Sequence, residues 1–98
     1  MIDLYSWSTA NGRKISILLE EMNISYKVFD IDITKDEQFT KKFSLISPSN
    51  KIPAIVDKEN GKNIFESGAI MLYLSTKYNQ FIPQKHYWEI MKWFFFQI

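Results

Sequence analysis

The segment Asn50-Lys51-Ile52-Pro53-Ala54-Ile55-Val56, followed by Phe65-Glu66-Ser67-Gly68-Ala69-Ile70, constrains this chain more than any other part of it. Proline has no N–H to give to a sheet ladder, so Pro53 among apolar β-formers restricts that run to a sheet edge, a strand start or a cis turn. Beyond it, an acid and a hydroxyl, Glu66 and Ser67, precede a run of helical period. A carboxylate and a capping hydroxyl are thereby set at a helix N-terminus, where backbone N–H groups lack intrahelical partners. Such a place suits a small zwitterion.

The rest of the chain alternates between two periods. Ile2 to Tyr5 reads as a short strand, and the polar loop Ser6 to Gly12 leads into Ile15, Leu18, Leu19 and Met22, spaced as one face of an amphipathic helix. Arg13, Lys14, Glu20 and Glu21 lie on its polar face, and Asn23, tolerant of the left-handed conformation, marks its end. Tyr26 to Phe29 supplies a second strand. Between Thr34 and Leu45 apolar residues are sparse, with Phe39 and Phe43 four apart, so a short, loosely anchored and mobile helix is expected there. Ala54–Asp57 and Asn63–Phe65 flank Asn60-Gly61, a strong hairpin signal. Ser67 is expected to cap a helix with Ile70, Tyr73 and Leu74 on its apolar stripe, ending near Tyr78.

The order is βαβαββα. A β-α-β crossover makes the first two strands parallel and right-handed, and the hairpin adds antiparallel strands. The expected fold is therefore α/β and thioredoxin-like, a mixed four-stranded sheet with helices on both faces, over residues 1–81. Residues 79–85 read as a linker in which Pro83 stops any helix, and His86 to Ile98 restarts a helical composition dense in Trp, Phe and Ile. Such a helix is too apolar to face water. We expect residues 82–98 to be the linker and first helix of an all-helical domain that is truncated or missing, its cover supplied by an absent element or another chain.

Composition excludes several classes. With 12 Lys and Arg against 11 Asp and Glu, the formal charge is +1, without the basic surface a nucleic-acid binder needs. Neither a signal sequence nor an apolar run of membrane-spanning length occurs, so no membrane partner and a cytoplasmic location are expected. Zero cysteines and one histidine, His86, leave no disulfide framework, no thiolate zinc site and no histidine cluster for metal. Any sulfur chemistry has to arrive with a ligand.

Three motifs in combination, Thr9-Ala10-Asn11-Gly12-Arg13-Lys14, Asn50-Lys51-Ile52-Pro53-Ala54-Ile55 and Phe65-Glu66-Ser67-Gly68-Ala69-Ile70, resemble the N-terminal domain of glutathione transferases. The chain looks like the bacterial Nu-class branch of glutathione-dependent disulfide reductases over Met1 to about Phe81. Ala10 departs from that branch, which often has proline there, and the all-helical C-terminal domain of the family is expected to be truncated or missing. The resemblance implies glutathione as co-substrate, no metal, and a homodimer where the helical domain is present. Glu66 would bind the γ-glutamyl ammonium, and Ser67 with the helix N-terminus its carboxylate. A cis bond before Pro53 would turn the backbone of Ile52 toward the cysteinyl residue, in strand-like pairing. Gln38 and Lys51 would meet the glycyl end.

The thiolate is the reactive form of a thiol, which ionises near pH ~8.5 when unperturbed. By the same resemblance, the Asn11 amide and the Thr9 hydroxyl lie against the sulfur. Neither is a base at neutral pH, so their catalytic role would be to stabilise the thiolate electrostatically. Plainer roles remain open: capping for Thr9, Asn11 and Ser67, an edge-strand proline at Pro53 with Ile52 in the core, a solvated strand end for Glu66, and side chains that simply face water for Gln38 and Lys51. Ser6 and Ser8 are rival hydroxyls, while Tyr5 is expected to pack at its strand end. Arg13 and Lys14 are read as a solvated face, and His86 as structural. The implied activity is thiolate attack on a disulfide or an electrophilic carbon. Without a Cys-x-x-Cys pair, glutaredoxin-type dithiol chemistry is excluded. A non-catalytic glutathione-binding or protein-interaction module, or an inactive fragment lacking the helical domain, stays open beside the enzyme.

Overall fold

The structure, a computed structural model, describes residues 1–98. Its elements are β1 (Ile2–Ser6), α1 (Ala10–Glu21), β2 (Tyr26–Asp30), two 3₁₀ turns (Ile33–Lys35 and Glu37–Phe39), α2 (Lys41–Ile46), β3 (Ala54–Asp57), β4 (Lys62–Phe65), α3 (Ser67–Lys77), a 3₁₀ turn (Gln84–His86) and α4 (Tyr87–Gln97). The strands form one mixed sheet in the order β2-β1-β3-β4. β1 runs parallel to β2, with Leu4 opposite Val28, and antiparallel to β3, with Leu4 opposite Ile55. β3 and β4 are the expected antiparallel hairpin, with Gly61 at φ 73° in its turn.

Strand alternation sorts the side chains into two layers. Ile2 and Leu4, with Ile55, meet Ile15 and Leu19 of α1 and Ile70 and Leu74 of α3 in one buried cluster. Tyr5 points to the opposite face, where its ring stacks on Phe29 at 4.8 Å and approaches Phe43 of α2 at 6.1 Å. Thus α1 and α3 cover one face and α2 the other. Full burial of an aliphatic side chain contributes about 1.5–3 kcal/mol, so the α1/α3 layer dominates the core.

Two expectations change in detail. The segment before β3 is not one helix through Phe39 and Phe43. Phe43 alone is buried, at 2% exposure, while Phe39 is 62% exposed in a separate 3₁₀ turn. The reason is Thr40, whose side chain accepts from the Phe43 N–H and starts α2 afresh. Ser67 is not the cap of α3. Glu66 holds the cap position at φ 74°, ψ 118°, and Ser67 is already helical. In the hairpin, the Gly61 N–H donates to the Asp57 carbonyl at 2.7 Å and closes the four-residue loop Lys58 to Gly61. Asn23, at φ 56°, does follow α1 as expected.

In α4 only Met91 is buried, whereas Trp88 is 77% and Phe96 79% exposed. No helix is long and apolar enough to cross a membrane.

Candidate functional site

Two clefts meet at the end of the sheet where α1 and α3 begin. One, of about 260 Å³, is lined by Thr9, Asn11, Ile33, Gln38, Asn50, Lys51 and Ile52. The other, of about 150 Å³, is lined by Asn11, Lys51, Ile52, Pro53, Glu66 and Ser67. Asn11, Lys51 and Ile52 belong to both. All eight residues singled out from the sequence, Thr9, Asn11, Gln38, Lys51, Ile52, Pro53, Glu66 and Ser67, are therefore brought together.

Local folding explains each placement. Thr9 caps α1, its hydroxyl oxygen accepting from the Gly12 N–H at 3.1 Å. The hydroxyl proton is left free to donate. The N–H groups of Ala10 and Asn11 have no partner within the chain, and neither has the Asn11 side-chain amide. An anion in the clefts thus faces the positive end of a 12-residue helix. Gly12 makes this approach possible, since a Cβ there would lie 2.3 Å from Ser6 Oγ and 2.5 Å from the Trp7 carbonyl oxygen.

The second wall comes from the loop before β3. The Ile52–Pro53 bond is cis. Ser47, fully buried, donates through Oγ to the Lys51 carbonyl at 2.9 Å. Across a trans peptide plane the C=O and N–H point in opposite directions. Tying the Lys51 carbonyl to Ser47 therefore aims the Ile52 N–H away from α2, and that N–H has no partner within the chain. Lys51, exposed, adds a positive charge.

The third wall is the start of α3. Glu66 turns the chain out of β4 with an exposed carboxylate, and its side chain makes no capping bond. The N–H groups of Ser67, Gly68 and Ala69 are consequently unpaired, the first intrahelical bond being Ile70 N–H to the Glu66 carbonyl. A carboxylate acceptor, a hydroxyl and three free donors stand side by side.

Other candidates lie elsewhere. Tyr5 lines neither cleft, and burial, then the nearby Asp3, raises its phenol further above the usual value. Ser6, Ser8 and Arg13 line a separate concavity, and Ser8 Oγ accepts from Arg13 at 3.2 Å. His86 sits in the 3₁₀ turn ahead of α4. Another concavity, of about 440 Å³, is lined by Ile17, Leu18, Met71 and Phe81 together with Lys14, Glu21 and Gln97, and it includes none of the eight candidate residues. No three His, Cys, Asp or Glu side chains gather as a metal-binding group.

Sequence reasoning overlooked Ile33, Ser47 and the side chain of Asn50. Asn50 stands in a motif already singled out, but nothing local shows where its amide points. The oxygen of the Gln38 amide is another feature hidden from sequence: it is buried without a partner beside the larger cleft.

The model for the glutathione S-transferase, N-terminal domain, matches residues 1–76. The disulfide-bond oxidoreductase YfcG of Escherichia coli (strain K12) is 43% identical over 105 residues, covering 100% of this chain and 49% of that protein. A crystal structure of a glutathione transferase from Pseudomonas putida, with one glutathione disulfide bound per subunit, superposes at a TM-score of 0.90 with 38% identity, over 98% of this chain and 44% of that one. The glutathione transferase YghU from Streptococcus pneumoniae, complexed with glutathione, superposes at 0.92 with 36% identity, over 98% of this chain and 41% of that one. The chain spans about half the length of these relatives or less. With its thioredoxin-like sheet and these matches, the chain belongs to the glutathione S-transferase N-terminal domain family.

Proposed function

We propose that this chain binds glutathione across the two clefts and stabilises its thiolate for attack on a disulfide, or on an electrophilic carbon. The carrying observation is that the clefts share Asn11, Lys51 and Ile52. A tripeptide needs two end sites joined by a middle one, and this arrangement supplies them in order. The γ-glutamyl end lies against Glu66, Ser67 and the free N–H groups of α3. The cysteinyl backbone pairs with Ile52 beside Pro53, and the glycyl end reaches Gln38 and Lys51.

In this pose the thiol faces the N-terminus of α1. The Asn11 amide and the Thr9 hydroxyl donate to the sulfur and lower its pKa without taking its proton. The thiolate attacks one sulfur of a disulfide, forming a glutathione mixed disulfide and releasing the other sulfur as a thiolate. A second glutathione thiolate then attacks the glutathione sulfur, giving glutathione disulfide and the second thiolate. Two electrons leave two glutathione molecules and reduce one disulfide, so no protein cysteine is needed. The names of relatives such as YfcG support disulfide reduction as the favoured chemistry.

A binding module without turnover is the second reading, favoured by the fact that the chain covers only 49% of YfcG. We infer that residues 82–98 are the linker and first helix of a further, all-helical part, supported by the exposure of Trp88 and Phe96 on α4. Where that part is present we propose a homodimer. Titration calorimetry with glutathione tests the main reading, and an absence of measurable binding would sink it. Turnover on a small-molecule disulfide then separates enzyme from module: a chain that binds but does not turn over leaves only the second.

A further inference from the structure

We infer that Asn50 is a positioning residue whose side-chain amide holds the Gln38 turn against the Lys51–Ile52 loop and so forms the wall that recognises the glycyl end of the ligand. The inference rests on the glutathione reading. Asn50 sits at φ 57°, a left-handed conformation that asparagine tolerates better than most residues. Its backbone N–H donates to the Ser47 carbonyl at 2.9 Å, which fixes where the side chain leaves the loop. From there Nδ2 donates to the Gln38 carbonyl at 3.0 Å and to Ser44 Oγ at 2.5 Å. Both amide hydrogens are thereby used inside the protein.

One amide thus joins three pieces that are separate in sequence: the 3₁₀ turn carrying Gln38, helix α2 through Ser44, and the loop leading to Ile52. The turn needs such a tie. Phe39 beside it is exposed and does not anchor it in the core. The buried, unpartnered Gln38 Oε1 is held at the larger cleft by a backbone whose carbonyl Asn50 grips. Gln38 lines that cleft and not the one formed by Glu66 and Ser67. Ser47 holds the Lys51 carbonyl independently of the Asn50 amide. Loss of the amide therefore releases the Gln38 wall while Ile52 and the γ-glutamyl side keep their geometry.

Calorimetric titration of the 98-residue chain with glutathione and with γ-glutamylcysteine, which lacks the glycyl residue, tests this. Asn50→Gly keeps the left-handed backbone and removes only the amide. Asn50→Asp keeps the shape but replaces the donor with a carboxylate that repels the Gln38 carbonyl. Each variant is expected to bind glutathione roughly fivefold or more weakly, and the dipeptide within about twofold of wild type, as loss of one wall's hydrogen bonding implies. Equal weakening of both ligands, or of neither, overturns the inference. If Asn50→Gly does not fold, as read by circular dichroism, the ratio is taken from Asn50→Asp; failure of both to fold shows a structural role and overturns the inference too. A wild type that binds neither ligand overturns the glutathione reading itself, and this inference with it.

Discussion

The carboxylate of Asp57 and the ammonium of Lys77 lie 2.5 Å apart, joining the end of β3 to the last turn of α3. Asp57 is fully buried, and it also accepts from the Tyr73 hydroxyl at 2.5 Å and the Glu59 N–H at 3.0 Å. α3 presents Ser67 to the clefts at its other end, so this contact sets the angle of the helix that forms one wall. Removing one member of a buried pair costs about 3–5 kcal/mol, because the other charge is left uncompensated. Lys77 is partly exposed and also reaches Glu59 at 3.2 Å, so solvent screens the pair and Lys77→Ala costs less than that. Lys77→Ala is expected to lower the urea unfolding midpoint, with the fold retained.

The same pair sets the pH dependence of stability. Burial pushes the Asp57 carboxyl up, but hydrogen bonds from Lys77 and Tyr73 outweigh it and hold the group below the usual aspartate range. A carboxyl whose folded pKa is depressed contributes stability above its unfolded value, about 3.9, and loses it as pH falls through the folded one. For Lys77, the hydrogen bond to Asp57 outweighs desolvation and raises its pKa, so its contribution is complete below about 10.4 and fades only as pH rises beyond. Thermal melts should show a plateau across neutral pH with an acid limb beginning below about pH 4. Asp57→Asn is expected to flatten that limb, and an unchanged acid limb would assign it to other carboxyls.

Gly12→Ala tests the close approach of α1 to β1. Its Cβ would fall 2.5 Å from the Trp7 carbonyl, which belongs to backbone and cannot swing away. Overpacking of this kind costs about 1–3 kcal/mol, and relief requires the first turn of α1 to shift, carrying Asn11 with it. Glutathione affinity should fall along with stability, measured by calorimetry and urea titration on the same sample.

Asn11→Ala separates thiolate stabilisation from binding. With the amide gone, the pKa of the bound thiol should rise toward the ~8.5 of an unperturbed thiol, read from thiolate ultraviolet absorbance against pH. Thr9→Ala should raise it as well and also lose about 1 kcal/mol of stability through the missing cap. Thr9→Ser retains both functions. A thiol pKa indifferent to Asn11 would remove it from the chemistry.

Glu66 stands at φ 74°, where a side chain is strained. Such positions cost about 1–3 kcal/mol and concentrate at functional sites. Glu66→Gly should match or exceed the wild type in stability while losing at least roughly tenfold in glutathione affinity, since a hydrogen bond to a charged group contributes about 1.5–3 kcal/mol. Glu66→Gln should weaken binding without the gain in stability.

Periodicity and turn chemistry were sufficient for β1, α1, β2, the hairpin and α3, because each depends on residues within one turn or one strand of each other. Ile15 and Leu19 had to share a face, and Asn23 could end the helix locally. Seven of the eight candidate residues were legible through the three motifs and Gln38 only through the resemblance, yet nothing in their spacing brings Thr9 to Gln38 or Asn11 to Glu66. Sheet order does that, by placing β3 beside β1 and so setting the start of α3 next to the start of α1. Local reading failed where a neighbour decided the outcome. Thr40 restarted α2, and the positive φ of Glu66 moved the cap of α3 back by one residue.

By itself, then, the sequence determined most of the helices and strands, that these residues hold no cysteine, and which residue types the three motifs carry. Only the tertiary structure decided that Asn11, Lys51 and Ile52 are common to two clefts, that Asn50 ties Gln38 to the loop before Pro53, and that Asp57 is buried against Lys77. The physical reason is distance along the chain: hydrogen-bonded periodicity acts over a few residues, whereas an amide or a carboxylate finds its partner only after sheet pairing and core packing have fixed where both can reach.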